Sequence, residues 1–455
     1  MRLYFGLTTA ALLFAVLCWA PLAWDGSWYL FNILNSQAPY VPFGRVVTIP
    51  LHYPVIAASG LTDDLRVLRL VFGLVYAAVP LGSLAASWWT VHRIAPSLFV
   101  WPALGIGLGT LPGQLLFASE GIQAVQLSWP ILLSVATGIQ SRHIAVLVGF
   151  GLLVDLAHPV ATALLALAAA LAFAIGLGAG ARRKWIWGWA AGLAAFSVAR
   201  LAMTGLFLSA YEADVMSLET QRRHFAAAVA GLPLVGIVGA WLAGAVVFSS
   251  RAPGEIDADL TPARARGRLA LSVAVCCLVA AGGVLLVWAR EPARWMGGLD
   301  FRSWALVSSL PFMVMACVES VARVRKSAAQ EAAVWNGRLA VIQIVAAIFA
   351  LVLCTQSTAW YNLGTRLRET IAQHPNACIS KRAIGWLRST ALSHWATPTY
   401  VILLQARKPA MLVLNDDECA EVRSGEALWI KVGPYHSKKG GWFDLSGPFL
   451  PTGPP

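Results

Sequence analysis

Charge is scarce in this chain. Of 455 residues only 34 are Lys or Arg and 22 are Asp or Glu, 12% in all, about half the roughly 25% usual in soluble globular proteins. Hydrophobic residues make up 58% and the mean hydropathy is +0.67. A water-facing fold could not hide that much apolar surface, so a soluble enzyme is excluded, as is a disordered or fibrous chain. A Walker-type Gly-Lys-Ser loop is also missing, which argues against direct use of ATP, and no His or Cys cluster has metal-ligand spacing. Gly105-x-Gly107-x-Gly109 and Gly176-x-Gly178-x-Gly180 lie inside apolar runs, where small residues chiefly let helices pack closely. No small-x-small cleavage site follows the first apolar run, which is therefore read as a retained helix.

What is abundant is the apolar run itself. A membrane-spanning helix needs about 20 mostly apolar residues, and eleven windows qualify: residues 5–24, 67–91, 98–117, 122–139, 144–156, 159–180, 186–208, 225–248, 269–288, 304–321 and 339–360. The stretch 144–156 is short enough to be re-entrant rather than spanning. With the N-terminus on the cytoplasmic side, cations of the inner loops outnumber those of the outer loops two to one, which fixes the orientation and leaves the excess positive charge with no need of nucleic acid. The composition, rich in Ala, Leu, Gly and Arg, points to a bacterial inner membrane, so the outer side is the periplasm.

The expected fold class is therefore a polytopic α-helical membrane protein with about eleven transmembrane helices, residues 1–360, followed by a small periplasmic α+β domain, residues 361–455. β-rich runs at 399–404, 410–414 and 428–432 support the second unit, and Asp416-Asp417-Glu418 reads as a turn. Cys378 and Cys419 are its only cysteines, and an oxidising compartment favours a disulfide between them. Cys18, Cys276, Cys277, Cys317 and Cys354 fall in the apolar runs as small core residues.

The first outer loop, residues 25–66, is too long to be a plain connection. Trp28, Phe31 and Leu34 recur at helical spacing opposite Asn32 and Asn35, which predicts a short interfacial helix. A proline-rich stretch follows, and Thr62, Asp63 and Asp64 offer N-caps for the second span. Asp25 directly follows the first span among aromatic rings. Partial desolvation there would raise its pKa toward that of a general base, or the residue caps the interfacial helix; the two roles are compatible.

An acid just after the first helix, a long aromatic loop, then Pro50-Leu51-His52-Tyr53-Pro54, Gly60 and the cations Arg66 and Arg69 form a pattern that resembles the GT-C glycosyltransferases. The resemblance implies a polytopic enzyme that moves a sugar from a polyprenyl-phosphate carrier to a lipid or glycan acceptor on the outer face. It also implies that Asp25 is the first-loop acid and that His52 and Tyr53 stand in the family's His-Pro-Pro-type turn. The chain departs from the family at Gly26, where many members have a second acid, and at Tyr53, where they have proline. Glu120 is the candidate second acid, or else a turn residue at a helix start.

A departing polyprenyl phosphate gains negative charge, so its site needs cations. Arg200, inside a span, is read either as a phosphate ligand or as half of an ion pair with Asp155 or Glu120. His158, in Asp155-Leu156-Ala157-His158-Pro159, either contacts phosphate or makes a structural hydrogen bond. Arg290 and Arg294 flank helix ends on the outer side, where they meet phosphate or lipid headgroups, and Tyr211 lies there as a sugar contact or in a solvated loop. A divalent metal held between Asp25 and Glu120 would serve the same chemistry. Two other readings stand beside the enzyme: a transporter or lipid flippase whose path is lined by Asp155, His158 and Arg200, and a structural subunit of an envelope-assembly complex.

Overall fold

The computed structural model describes residues 1–41, 45–109, 117–206, 217, 219, 222, 299–322, 328–375, 377–389, 396–414, 419, 431–432, 435–436, 441–443 and 450–451. The windows 225–248 and 269–288, together with Tyr211, Arg290 and Arg294, lie outside the described residues. The fold is mostly helical. Among the described residues its α-helices are α1 (Arg2–Leu17), α2 (Asp25–Ser36), α3 (Ile49–Ser59), α4 (Leu65–Val91), α5 (Val100–Leu104), α6 (Glu120–Ala136), α7 (Ile144–Asp155), α8 (Ala161–Leu177), α9 (Arg183–Leu206), α10 (Leu299–Ala322), α11 (Ala328–Gln373) and α12 (Thr397–Leu403). Among the described residues three stretches are long and apolar enough to cross a membrane: Leu65–Val91, Gly180–Leu206 and Val334–Gln373.

α4 shows how the sequence builds such a helix. The Asp64 carboxylate accepts the Arg66 backbone N–H at 2.8 Å, the N-cap expected there. Leu68, Phe72, Tyr76, Pro80 and Leu84 recur every turn on the buried face, while Val67, Leu70 and Leu74 are exposed. Apolar residues thus occupy both faces, one against the core and one outward, as a helix in hydrocarbon requires. The same outward exposure recurs at Leu13, Phe14 and Leu17 on α1 and at Val198, Leu201 and Leu206 on α9.

The window 98–117 does not form one helix. Its described part opens with a 3₁₀ turn at Pro96–Phe99, continues as the five-residue α5 and passes into a π turn over Gly105–Gly109. The glycines explain the distortion: a side chain on Gly105 would enter the Trp129 ring, and one on Gly109 would enter Ser309, whose hydroxyl donates to the Gly105 carbonyl at 3.1 Å. α7 is only 12 residues long, in keeping with its short apolar window.

α11 runs for 46 residues, about 70 Å at 1.5 Å per residue, more than twice the roughly 30 Å of a bilayer's hydrocarbon. It does not stop at residue 360 but continues to Gln373 and delivers the chain to β1 (Ala377–Ser380). β1 lies between β2 (Met411–Leu414) and β5 (Leu450–Pro451), parallel to both, and β3 (Lys431–Val432) pairs with β4 (Tyr435–His436) in an antiparallel ladder. The expected strand at 399–404 is instead α12. Pro398 occupies its first turn, a helix-starting feature. All seven of its residues are buried, and periodicity alone cannot tell such a helix from a buried strand. The Cys378–Cys419 disulfide forms.

One hydrophobic cluster joins this C-terminal region to the bundle: Leu12, Trp24, Phe31, Phe72 and Trp360 pack in the same core as Cys378, Tyr400, Leu412 and Phe443. The Phe31 and Phe443 rings stack with centroids 5.1 Å apart. The aromatic side of α2 therefore faces protein rather than lipid. A second cluster among the described residues is centred on α5, α6, α8 and α10. At its end a buried polar clamp ties three elements: Arg338 donates to the Glu319 carboxylate at 2.8 Å and to the Ser97 carbonyl at 3.0 Å, while the Trp101 indole N–H donates to Glu319 at 2.7 Å.

Candidate functional site

Asp25 begins α2 and is buried, 6% exposed. The N-cap is Trp24, not Asp25, and its backbone is left-handed at φ 53°, a conformation that costs a non-glycine residue of order 1–3 kcal/mol. Gly26 is required next, because a Cβ there would collide with the Pro21 carbonyl. A carboxylate in the first turn meets the positive end of the helix dipole, and its charge also acts on the Tyr76 phenol of α4.

Tyr76 connects Asp25 to the second predicted element. The Nε2 atom of His52 lies 3.0 Å from the Tyr76 hydroxyl, with both side chains fully buried. His52, Tyr53 and Pro54 do not form a turn. They sit inside α3, which Pro50 starts at its first turn, where the missing proline N–H costs nothing. Burial pulls the His52 imidazole down to about 4, so the ring is neutral at physiological pH, and its Nδ1 is buried with no hydrogen-bond partner. Tyr53, the next residue on the helix, points elsewhere and is exposed. Around His52 the rings of Tyr29 and Tyr40 build an aromatic wall, Tyr29 lying 5.8 Å from the imidazole and 5.3 Å from Tyr40. The Trp28 indole N–H donates to the Tyr40 hydroxyl at 2.7 Å.

Glu120 stands at the first turn of α6, 2% exposed, and forms a buried ion pair with Arg45 at 3.3 Å. Val47, two residues after that arginine, donates its backbone N–H to the Leu156 carbonyl at 3.3 Å. The segment between α2 and α3 is thereby wedged against the break between α7 and α8. His158 lies in that break, packed beneath Gly121, and its Nδ1 accepts the Val160 N–H at 3.2 Å. Asp25 and Glu120 flank one core, since Trp24, Tyr29, Tyr76, Phe117, Ala118 and Ile122 belong to a single cluster. Arg200, on α9, lies within electrostatic reach of Asp155 at the end of α7.

Among the described residues no group of three or more His, Cys, Asp or Glu side chains could hold a metal ion. Sequence reasoning overlooked Tyr76, Tyr40 and Arg45. A tyrosine in an apolar run looks like core, and an arginine in a long loop looks solvated; only the fold reveals that Tyr76 meets His52, that Arg45 meets Glu120, and that Tyr40 packs on the Tyr29 ring that faces His52. Comparison with protein-family models, with curated proteins and with solved structures finds no match to this chain.

Proposed function

We propose that this chain is a membrane glycosyltransferase of the GT-C type that moves a sugar from a polyprenyl-phosphate carrier to a lipid or glycan acceptor. The observation that carries the reading is that two acids, Asp25 and Glu120, are each buried in the first turn of a helix, with apolar neighbours of both in one hydrophobic cluster. The Asp25 carboxylate takes the proton of the acceptor hydroxyl, whose oxygen attacks the anomeric carbon. As that bond forms, the bond from the anomeric carbon to the phosphate oxygen breaks and its electron pair leaves with the phosphate. A single displacement of this kind inverts the anomeric centre. Tyr76 and His52 act as positioning residues that fix the acid's surroundings, and the neutral imidazole offers Nδ1 to a sugar or acceptor hydroxyl.

The bacterial inner membrane is the setting this reading assigns, with a cytoplasmic N-terminus and the C-terminal region in the periplasm. The Cys378–Cys419 disulfide supports that side, because such bonds persist in oxidising compartments. The transporter reading draws on one observation, the electrostatic coupling of Asp155 to Arg200 across α7 and α9.

The test is release of polyprenyl phosphate from a labelled polyprenyl-phosphate sugar by membranes containing the chain. Asp25→Asn at wild-type abundance should lower release by about 100-fold or more, the range for loss of a general base. Undiminished release removes the base assignment. Substrate-dependent flux into vesicles with no transfer by the wild type overturns the enzyme in favour of a transporter.

A further inference from the structure

Two arginines not used in that step share one indole. The guanidinium carbon of Arg69 lies 4.5 Å from the centroid of the Trp19 ring and that of Arg368 lies 4.4 Å from it. Arg69 is 5% exposed; its Nε donates to the Leu65 carbonyl at 3.0 Å, while its Nη1 is buried and has no acceptor. Arg368 donates through Nη2 to the Thr365 hydroxyl at 3.1 Å, and its Nε is likewise buried without an acceptor. Neither guanidinium has a carboxylate partner among the described residues.

The third group is Tyr400 of α12, whose phenol interacts electrostatically with both arginines. Burial pushes that phenol up, so it stays a protonated donor. Gly364 lets it approach: a Cβ there would fall 2.6 Å from the Tyr400 hydroxyl and 3.5 Å from the Trp19 ring. Trp19 itself is held at φ 60°, an unfavourable backbone for a bulky residue. Arg69 is withdrawn from water and Arg368 partly so, and two such like charges with buried, unsatisfied N–H donors are costly unless an anion joins them. The surroundings indicate what carries that anion. Arg69 is the fifth residue of α4, at one end of an apolar helix, and Phe14, Leu17 and Tyr361 are exposed on the neighbouring α1 and α11.

We propose that Arg69, Arg368 and Tyr400 bind the phosphate group of a membrane lipid, whose hydrocarbon chain lies on the exposed apolar residues of α1 and α11. The site stands whether or not Asp25 acts as a base. Phosphate suits it because its oxygens accept charge-assisted hydrogen bonds from two forks at once.

The experiment uses the full chain in dodecyl maltoside micelles, with thermal stabilisation as the readout and dodecyl phosphate, a polyprenyl phosphate, phosphatidylglycerol and inorganic phosphate as probes. Dodecyl phosphate should stabilise the wild type, with the half-maximal concentration at least about tenfold higher in Arg368→Gln. Arg366→Gln, which alters an exposed arginine over Trp386, should respond like the wild type. Stronger stabilisation by the polyprenyl phosphate identifies a lipid monoester, and stronger stabilisation by phosphatidylglycerol identifies a diester headgroup. Should Arg368→Gln fail to fold, Arg368→Lys with native mass spectrometry of retained lipid serves instead, and reduced retention is expected. Equal responses of the wild type and the charge-neutral variant overturn the site, and an inorganic phosphate effect as large as that of the lipids overturns the lipid assignment.

Discussion

The imidazole of His52 and the phenol of Tyr76 meet at 3.0 Å in a fully buried contact that joins α3 to α4. Because α3 belongs to the long segment between the first two apolar runs, this contact is a polar tie that holds that segment against the bundle. It places a neutral ring next to a tyrosine that also senses the charge of Asp25.

This burial makes stability depend on pH. An imidazole that titrates near 6.5 when unfolded and at about 4 when folded binds its proton more readily in the unfolded chain. Stability from this group is therefore complete above about pH 6.5 and is lost as pH falls toward 4, amounting to roughly 3 kcal/mol below that point. Thermal melts of detergent-solubilised protein between pH 7.5 and 4 should show the decline, and His52→Gln should flatten it. An equal slope in the variant would assign the effect to other groups.

The Glu120–Arg45 pair makes a different prediction. Removing one partner of a buried pair leaves the other charge uncompensated, at a cost of about 3–5 kcal/mol. Arg45→Met and Glu120→Gln should each lower the melting temperature by many degrees. The double variant should be less destabilised than the sum of the two, and a double-mutant cycle measures that coupling. Simple additivity would mean that the two side chains do not act as a pair.

The sequence made some of these elements legible and hid others, for physical reasons. The helix at Asp25–Ser36 could be read because Trp28, Phe31 and Leu34 repeat at its period, and the Asp64 cap because short acidic side chains at that position satisfy free N–H groups. Cys378 and Cys419 could be paired because nothing else in the C-terminal region competes for either. Residues 399–404 misled because a helix buried on all sides has no polar stripe. Pro54 masked α3, since prolines near each other suggest an extended chain rather than a helix. Arg69 and Arg368 lie some three hundred residues apart in sequence, and no local pattern foretells that both stack on Trp19.

The Cys378–Cys419 disulfide closes a sequence separation of 41 residues, worth roughly 4 kcal/mol through the entropy it removes from the unfolded chain. Both sulfurs are buried beside β1 and β2, in the cluster shared with α1, α2 and α11. Cys378→Ala with Cys419→Ala should therefore destabilise the C-terminal region, read as faster proteolysis between residues 377 and 451. Unchanged proteolysis would show that packing on the bundle alone holds this region in place.

Gly364 tests that packing directly. It lies on α11 opposite Tyr400 of α12, and a methyl group there would stand 2.6 Å from the tyrosine hydroxyl, too close for any real contact. The hydroxyl is the end of a fully buried side chain whose ring lies 4.8 Å from that of Trp360, so it cannot swing aside without disturbing the core. Gly364→Ala should cost about 1–3 kcal/mol through overpacking, even though alanine favours the helix by up to about 1 kcal/mol. Combining it with Tyr400→Phe, which removes the clashing oxygen, should restore much of the loss. A stabilised Gly364→Ala variant would mean that α12 does not sit against α11 at this point, and that the C-terminal region moves independently of the bundle.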